Sequence, residues 1–88
     1  MSYDLVITEH LDKVFSKLAK KDQVHFKEVF KKVEELIENP KMGEPLTARM
    51  AGQWSVHIGS FVLTYEILEK EKKIVLLNYG PHDEIYGS

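Results

Sequence analysis

Gly52-Gln53-Trp54-Ser55-Val56-His57-Ile58-Gly59-Ser60-Phe61-Val62-Leu63-Thr64-Tyr65-Glu66-Ile67 is the stretch that decides how this chain folds. On either side of Gly59-Ser60 the residues alternate. Trp54, Val56 and Ile58 are set against Ser55 and His57, and then Phe61, Leu63, Tyr65 and Ile67 against Val62, Thr64 and Glu66. A period of two marks a strand, because successive side chains point to opposite faces, and a glycine-serine pair between two such runs marks a tight turn. The stretch therefore reads as two antiparallel strands sharing one apolar and one mainly polar face.

Downstream, Leu68 to Lys72 forms a charged hairpin tip, and Lys73-Ile74-Val75-Leu76-Leu77-Asn78-Tyr79 is apolar enough on both faces to sit inside a sheet. Upstream, Lys41-Met42-Gly43-Glu44-Pro45 is rich in turn residues. Before it, Phe26, Val29, Phe30, Val33, Leu36 and Ile37 recur at helical spacing, predicting a helix from about Gln23 to Glu38. Asn39-Pro40 stops that helix, since proline disfavours helical geometry in the residue before it. Leu11, Val14, Phe15 and Leu18 predict an earlier helix capped by Thr8, with a break at Lys20 to Asp22. Tyr3 to Thr8 alternates as an opening strand. The predicted fold is α+β, in the order β-α-α-β-β-β, with a helical hairpin packed on one face of an antiparallel sheet. Two helices cover one face only, so the face carrying Ser55, His57, Val62, Thr64 and Glu66 is expected to be open. Val62 and Leu77 should then lie near solvent as part of a docking surface.

With 88 residues, of which 43% are hydrophobic, the chain is expected to form one domain spanning residues 1–88. There is no cysteine, which excludes disulfides and thiolate metal sites. His10 and His25 have no metal-ligand spacing with other donors and read as surface residues, so no metal is expected. Met1-Ser2-Tyr3-Asp4 has no basic or apolar leader character, and no apolar run approaches the roughly 20 residues that span a bilayer. The expectation is a soluble cytoplasmic protein without a membrane partner.

The net charge of -2 argues against strong non-specific binding to polyanions. Its distribution is uneven. From Lys13 to Lys32, seven lysines stand against Asp22 and Glu28, a local excess of +5. Lys13, Lys17, Lys20, Lys27 and Lys31 on these helices, with Lys41 in the following turn, are either a solvated, ion-paired surface or a docking patch for RNA or an acidic partner. Arg49 is the only arginine.

Several stretches together resemble the RelE/ParE toxin superfamily, and its RelE and YoeB branch more closely. They are Glu38-Asn39-Pro40, Gly43-Glu44-Pro45-Leu46, the hairpin from Gly52 to Ile67, and the tail Gly80-Pro81-His82-Asp83-Glu84-Ile85-Tyr86. The resemblance covers nearly the whole chain. It implies the toxin of a type II toxin-antitoxin pair, neutralised by a cognate antitoxin, that cleaves messenger RNA on the ribosome. In that chemistry the RNA 2'-hydroxyl attacks the neighbouring phosphate, so the protein needs a base, an acid and cations, and no cofactor. Glu44 matches the glutamate that acts as base in YoeB-like members, and Tyr86 matches a terminal tyrosine near the scissile phosphate. Where the family carries arginines, this sequence has His57, Val62 and Pro81-His82. His57 and His82 are the candidate replacements, with His82 as the acid. A guanidinium holds phosphate through two parallel bonds at any working pH, and histidine does not. Two other readings therefore stay open: a ParE-like protein that acts by binding another protein, and a relative that has lost activity.

Overall fold

The computed structural model describes residues 2–87. Strand β1 is Asp4–Ile7, followed by helices α1 (Glu9–Lys21) and α2 (Gln23–Glu38). After a 3-10 turn at Pro40–Met42 come β2 (Glu44–Pro45), a second such turn at Ala48–Met50, β3 (Trp54–Ile58), β4 (Phe61–Leu68), β5 (Lys73–Pro81) and a short α3 (His82–Tyr86). The Thr8 side chain accepts from the Leu11 amide at 3.4 Å, capping α1 as expected. Asp22 ends α1, its own amide donating to the Leu18 carbonyl, and starts α2 by accepting from the His25 amide at 3.1 Å. One residue thus serves both helix ends and fixes the hairpin's corner.

The strands run in the order β1-β5-β4-β3-β2. The β3–β4 and β4–β5 pairs are antiparallel, and β5 lies inside the sheet, as its two apolar faces predict. Two features differ from expectation. β1 pairs parallel to β5, from Asp4 opposite Lys73 to Ile7 opposite Leu76, so the sheet is mixed, not wholly antiparallel. Alternation has the same period in both kinds of strand, and direction depends on where the returning chain places β5. The strand β2 and helix α3 are additions, too short to carry a periodic signal.

The helical hairpin covers one face, burying Leu11, Phe15, Val29, Val33 and Leu36 against Val56, Leu63, Tyr65, Ile74 and Leu76. Leu76 stands opposite Tyr65 and Asn78 opposite Thr64, which leaves Leu77 as the extra residue of a β-bulge. The bulge resets the alternation, so Tyr79 turns back into the core three residues after Leu76. His25, expected at the surface, is half-buried there. Its ring lies 4.9 Å from that of Phe61 and its Nε2 is hydrogen-bonded to the Tyr79 hydroxyl.

The second face is not the open surface expected. Val62, Thr64 and Ser55 are 0%, 1% and 2% exposed. Val62 lies directly between His57 and Gly80 on neighbouring strands, and residues so opposed share a face. A β-carbon on Gly80 would meet Ile85 Cδ1 at 3.5 Å and Glu84 Oε2 at 3.3 Å, so α3 folds back over this face and covers Val62. Leu77 is half-buried at the bulge.

Candidate functional site

The site is built from β2 outward. Gly43 leads into β2 at a point where a β-carbon would stand 2.4 Å from the Ser55 carbonyl oxygen and 2.5 Å from the Tyr65 hydroxyl. Only glycine fits. The Tyr65 hydroxyl donates to the Pro40 carbonyl at 2.7 Å, pinning the end of α2 to the sheet, and burial pushes its pKa up to about 12. These contacts hold Glu44 opposite Ser55, which lies opposite Thr64. Glu44 is exposed, and its row neighbours the row of His57, Val62 and Gly80. Such diagonal neighbours on one face are about 7–8 Å apart.

Helix α3 closes the other side. The His82 amide donates to the Ser60 carbonyl at 3.3 Å, tying the start of α3 to the β3–β4 turn. This places the His82 ring parallel to that of His57, with centroids 6.1 Å apart and 16° between planes. Tyr86, one helical turn on, meets His82 edge-on at 4.6 Å. Three side chains from two elements thus form a ring cluster on the same face as Glu44. The His82 Nδ1 is also 3.7 Å from Asp83 Oδ1.

The lysines are dispersed. Lys31 lines a groove with Glu28, Lys32, Glu35, His57, Ile58 and Gly59, and so shares a groove with one ring of the cluster. Lys13 pairs with Glu9 at 3.9 Å, and Lys20 and Lys27 are exposed. Lys41 is not turned toward Glu44. It pairs at 3.9 Å with Glu69 at the β4–β5 tip, where Glu69 also accepts from the Tyr3 hydroxyl. Lys17 borders a separate groove of about 490 Å³ between α1 and the end of β5, lined by Val14, Leu18, Phe61 and Tyr79. From Leu77 onward β5 has only β4 beside it, because β1 ends at the level of Leu76.

Two features escaped the sequence reading. The buried Ser55 hydroxyl has no hydrogen-bond partner among the described residues. Arg49, on the loop between β2 and β3, brings its Nη2 to 3.5 Å from where a β-carbon would stand on Gly87, next to Tyr86. Its being the only arginine was the available signal. Nothing in the local pattern says where its long side chain ends. Among the described residues no group of three or more histidines and carboxylates is placed to hold a metal ion, and no described helix is long and apolar enough to cross a membrane.

Comparison with known proteins agrees with this architecture. The candidate toxin RelE4 of Methanocaldococcus jannaschii is 35% identical over 85 residues, 96% of this chain and 90% of that one. Among solved structures, the RelBE2 toxin-antitoxin complex of Mycobacterium tuberculosis superposes with a TM-score of 0.81 at 23% identity, covering 93% of this chain and 100% of that one. The YoeB/ParE toxin of Agrobacterium tumefaciens gives 0.81 at 20% identity, over 90% and 98%. The model of the ParE-like toxin of type II bacterial toxin-antitoxin systems matches residues 5–88, and this chain accordingly belongs to that family, within the RelE/YoeB/ParE toxin superfamily.

Proposed function

We propose that this toxin is an endoribonuclease that cleaves messenger RNA on the ribosome in the cytoplasm. The observation that carries the reading is the His57, His82 and Tyr86 ring cluster on the face that also presents Glu44. The Glu44 carboxylate takes the proton from an RNA 2'-hydroxyl, and the 2'-oxygen attacks the adjacent phosphorus. A new P–O2' bond forms as the P–O5' bond breaks, and protonated His82 delivers a proton to the departing 5'-oxygen. The products are a 2',3'-cyclic phosphate and a 5'-hydroxyl. His57, parallel to His82, orients that ring, and the Tyr86 hydroxyl donates to a phosphate oxygen. The reaction so written calls for no cofactor or metal. Lys13, Lys17, Lys20, Lys27, Lys31 and Lys41 contact ribosomal RNA, neutralising phosphates at the periphery.

The partner off the ribosome is a cognate antitoxin, in keeping with the Mycobacterium tuberculosis relative, which was solved as a toxin-antitoxin complex. The groove beside α1 suits it. Its lining is largely apolar, with Lys17 and Lys21 against the single carboxylate of Glu84, and an acidic amphipathic segment would match that balance.

A second reading is favoured by one observation: none of the rings in the cluster is a guanidinium, and the matching family is described as ParE-like. In that reading the chain acts by binding a protein. Purified toxin without antitoxin, added to ribosomes translating a defined message, separates the two. The nuclease reading expects cuts within codons that leave 5'-hydroxyl ends, slowed about 10²- to 10⁴-fold in His82→Ala. Intact message, together with DNA damage on induction in cells, would replace it with the ParE-like reading.

A further inference from the structure

We propose that Arg49 is the phosphate-holding cation of this site, supplied by the β2–β3 loop. The inference rests on the nuclease reading and adds to it the residue that stabilises charge. A phosphate under attack by a 2'-oxygen gathers negative charge on its non-bridging oxygens, and a nearby permanent cation is the strongest single aid to that step. The ring cluster contains none. Histidine is charged only in part near neutral pH, tyrosine is neutral, Lys41 is held by Glu69, and Lys31 shares its groove with Glu28 and Glu35.

Arg49 meets the need on three counts. It reaches the right place, since its Nη2 approaches Gly87, the residue that follows Tyr86 and ends α3 with a φ of 75°. Among the described residues no ion pair uses it, and it is exposed. Its support is also ordered. The loop closes on itself through Leu46 N–H to the Gln53 carbonyl at 2.8 Å, Ala51 N–H to the Ala48 carbonyl at 3.0 Å and Gln53 N–H to the Met50 carbonyl at 3.1 Å.

Ala48 shows that this loop shape is specified. Its φ of 57° lies in the left-handed region, which costs a residue with a β-carbon about 1–2 kcal/mol. Ala48 is the first residue of the turn that carries Arg49. A loop that only linked β2 to β3 would be relieved by glycine at this position. The 3-10 turn instead carries the guanidinium that ends beside Gly87, just past α3. Its position beside Gly87 sets it one residue from Tyr86, and a guanidinium can hold one phosphate through two parallel bonds.

The test compares wild type, Arg49→Ala and Arg49→Lys in two assays. One is message cleavage on translating ribosomes. The other is affinity for ribosomes carrying a message blocked by 2'-deoxy substitution, over a series of salt concentrations. Arg49→Ala should cleave at least about 10²-fold more slowly, and Arg49→Lys should recover part of that loss by restoring charge without the two-bond geometry. The slope of log affinity against log salt should fall by about 0.7 in Arg49→Ala, the value for one lost contact to a single strand, and return in Arg49→Lys. Cleavage by Arg49→Ala at the wild-type rate overturns the proposal and leaves the nuclease reading standing. If wild type does not cleave, the nuclease reading falls and the binding assay decides for Arg49: a reduced slope upholds it as a phosphate contact, and an unchanged slope, or no binding by wild type, overturns it.

Discussion

On the helix side of the sheet, Leu11, Leu36, Leu63, Tyr65, Ile74 and Leu76 are fully buried, and the Tyr65 hydroxyl is spent on the Pro40 carbonyl. On the other side, Ser55 and Thr64 are just as buried, yet the Ser55 hydroxyl has no partner among the described residues, and His57 and His82 are exposed. The same strands build both faces. The difference teaches that burial alone does not identify the stabilising face. The helix side joins burial to apolar packing and satisfied polar atoms, and these hold the fold together. The outer side keeps one buried polar group, the Ser55 hydroxyl, without a partner among the described residues, as a surface for another molecule would.

The comparison is broken most severely by Leu36→Ala. It removes a fully buried side chain from the core and should cost about 2–5 kcal/mol in urea-unfolding stability. His57→Ala on the outer face should stay within about 0.5 kcal/mol of wild type. Equal losses in the two would show that the faces share the work of stability.

A smaller effect tests whether polar satisfaction belongs to the helix side. Tyr65→Phe leaves the Pro40 carbonyl buried without its donor, at a cost of about 1–3 kcal/mol. The same hydroxyl governs alkaline behaviour. Burial raises the folded-state pKa of Tyr65 from 10.0 to about 12, and burial together with Glu28 raises that of Tyr79 to about 12. A raised value means that the folded state holds the phenolic proton more tightly than the unfolded chain. The associated stability is complete below pH 10 and is lost as pH rises from 10 through 12. Unfolding midpoints should fall across that window, less steeply in Tyr65→Phe.

The smallest effect is expected from Ser55→Ala. Removing an unpaired buried hydroxyl should leave stability unchanged or raise it by up to about 1 kcal/mol. A loss above 1 kcal/mol would mean that the hydroxyl is satisfied in solution and that the outer face is as complete as the inner one.

Most of the fold was legible from periodicity. The two helices, with Thr8 capping the first, and the strands β3, β4 and β5 follow from side-chain spacing, which registers which face an element buries. The short pieces were not legible. Glu44–Pro45 and His82–Tyr86 are too short to repeat a period, and the parallel pairing of β1 carries the same alternation as an antiparallel one. Of the candidate site, the tail resemblance drew out His82 and Tyr86 and the hairpin drew out His57, but their mutual approach depends on the hydrogen bond from His82 to Ser60. Val62 was misjudged because a five-residue helix covers it. Lys41 was drawn away because Glu69, 28 positions along, waits at a hairpin tip.

By itself the sequence determined what lies between neighbours in the chain: which segments are helices, which are strands, and which side of each is apolar. Tertiary structure alone decided what depends on closure. That includes the bulge at Leu77 that returns Tyr79 to the core, the burial of His25 against Phe61, and the arrival of Arg49 at the end of α3. The physical reason is that side-chain direction repeats with local backbone geometry, whereas a meeting of residues 38 positions apart, as Arg49 and Gly87 are, is fixed by how the intervening strands and turns pack.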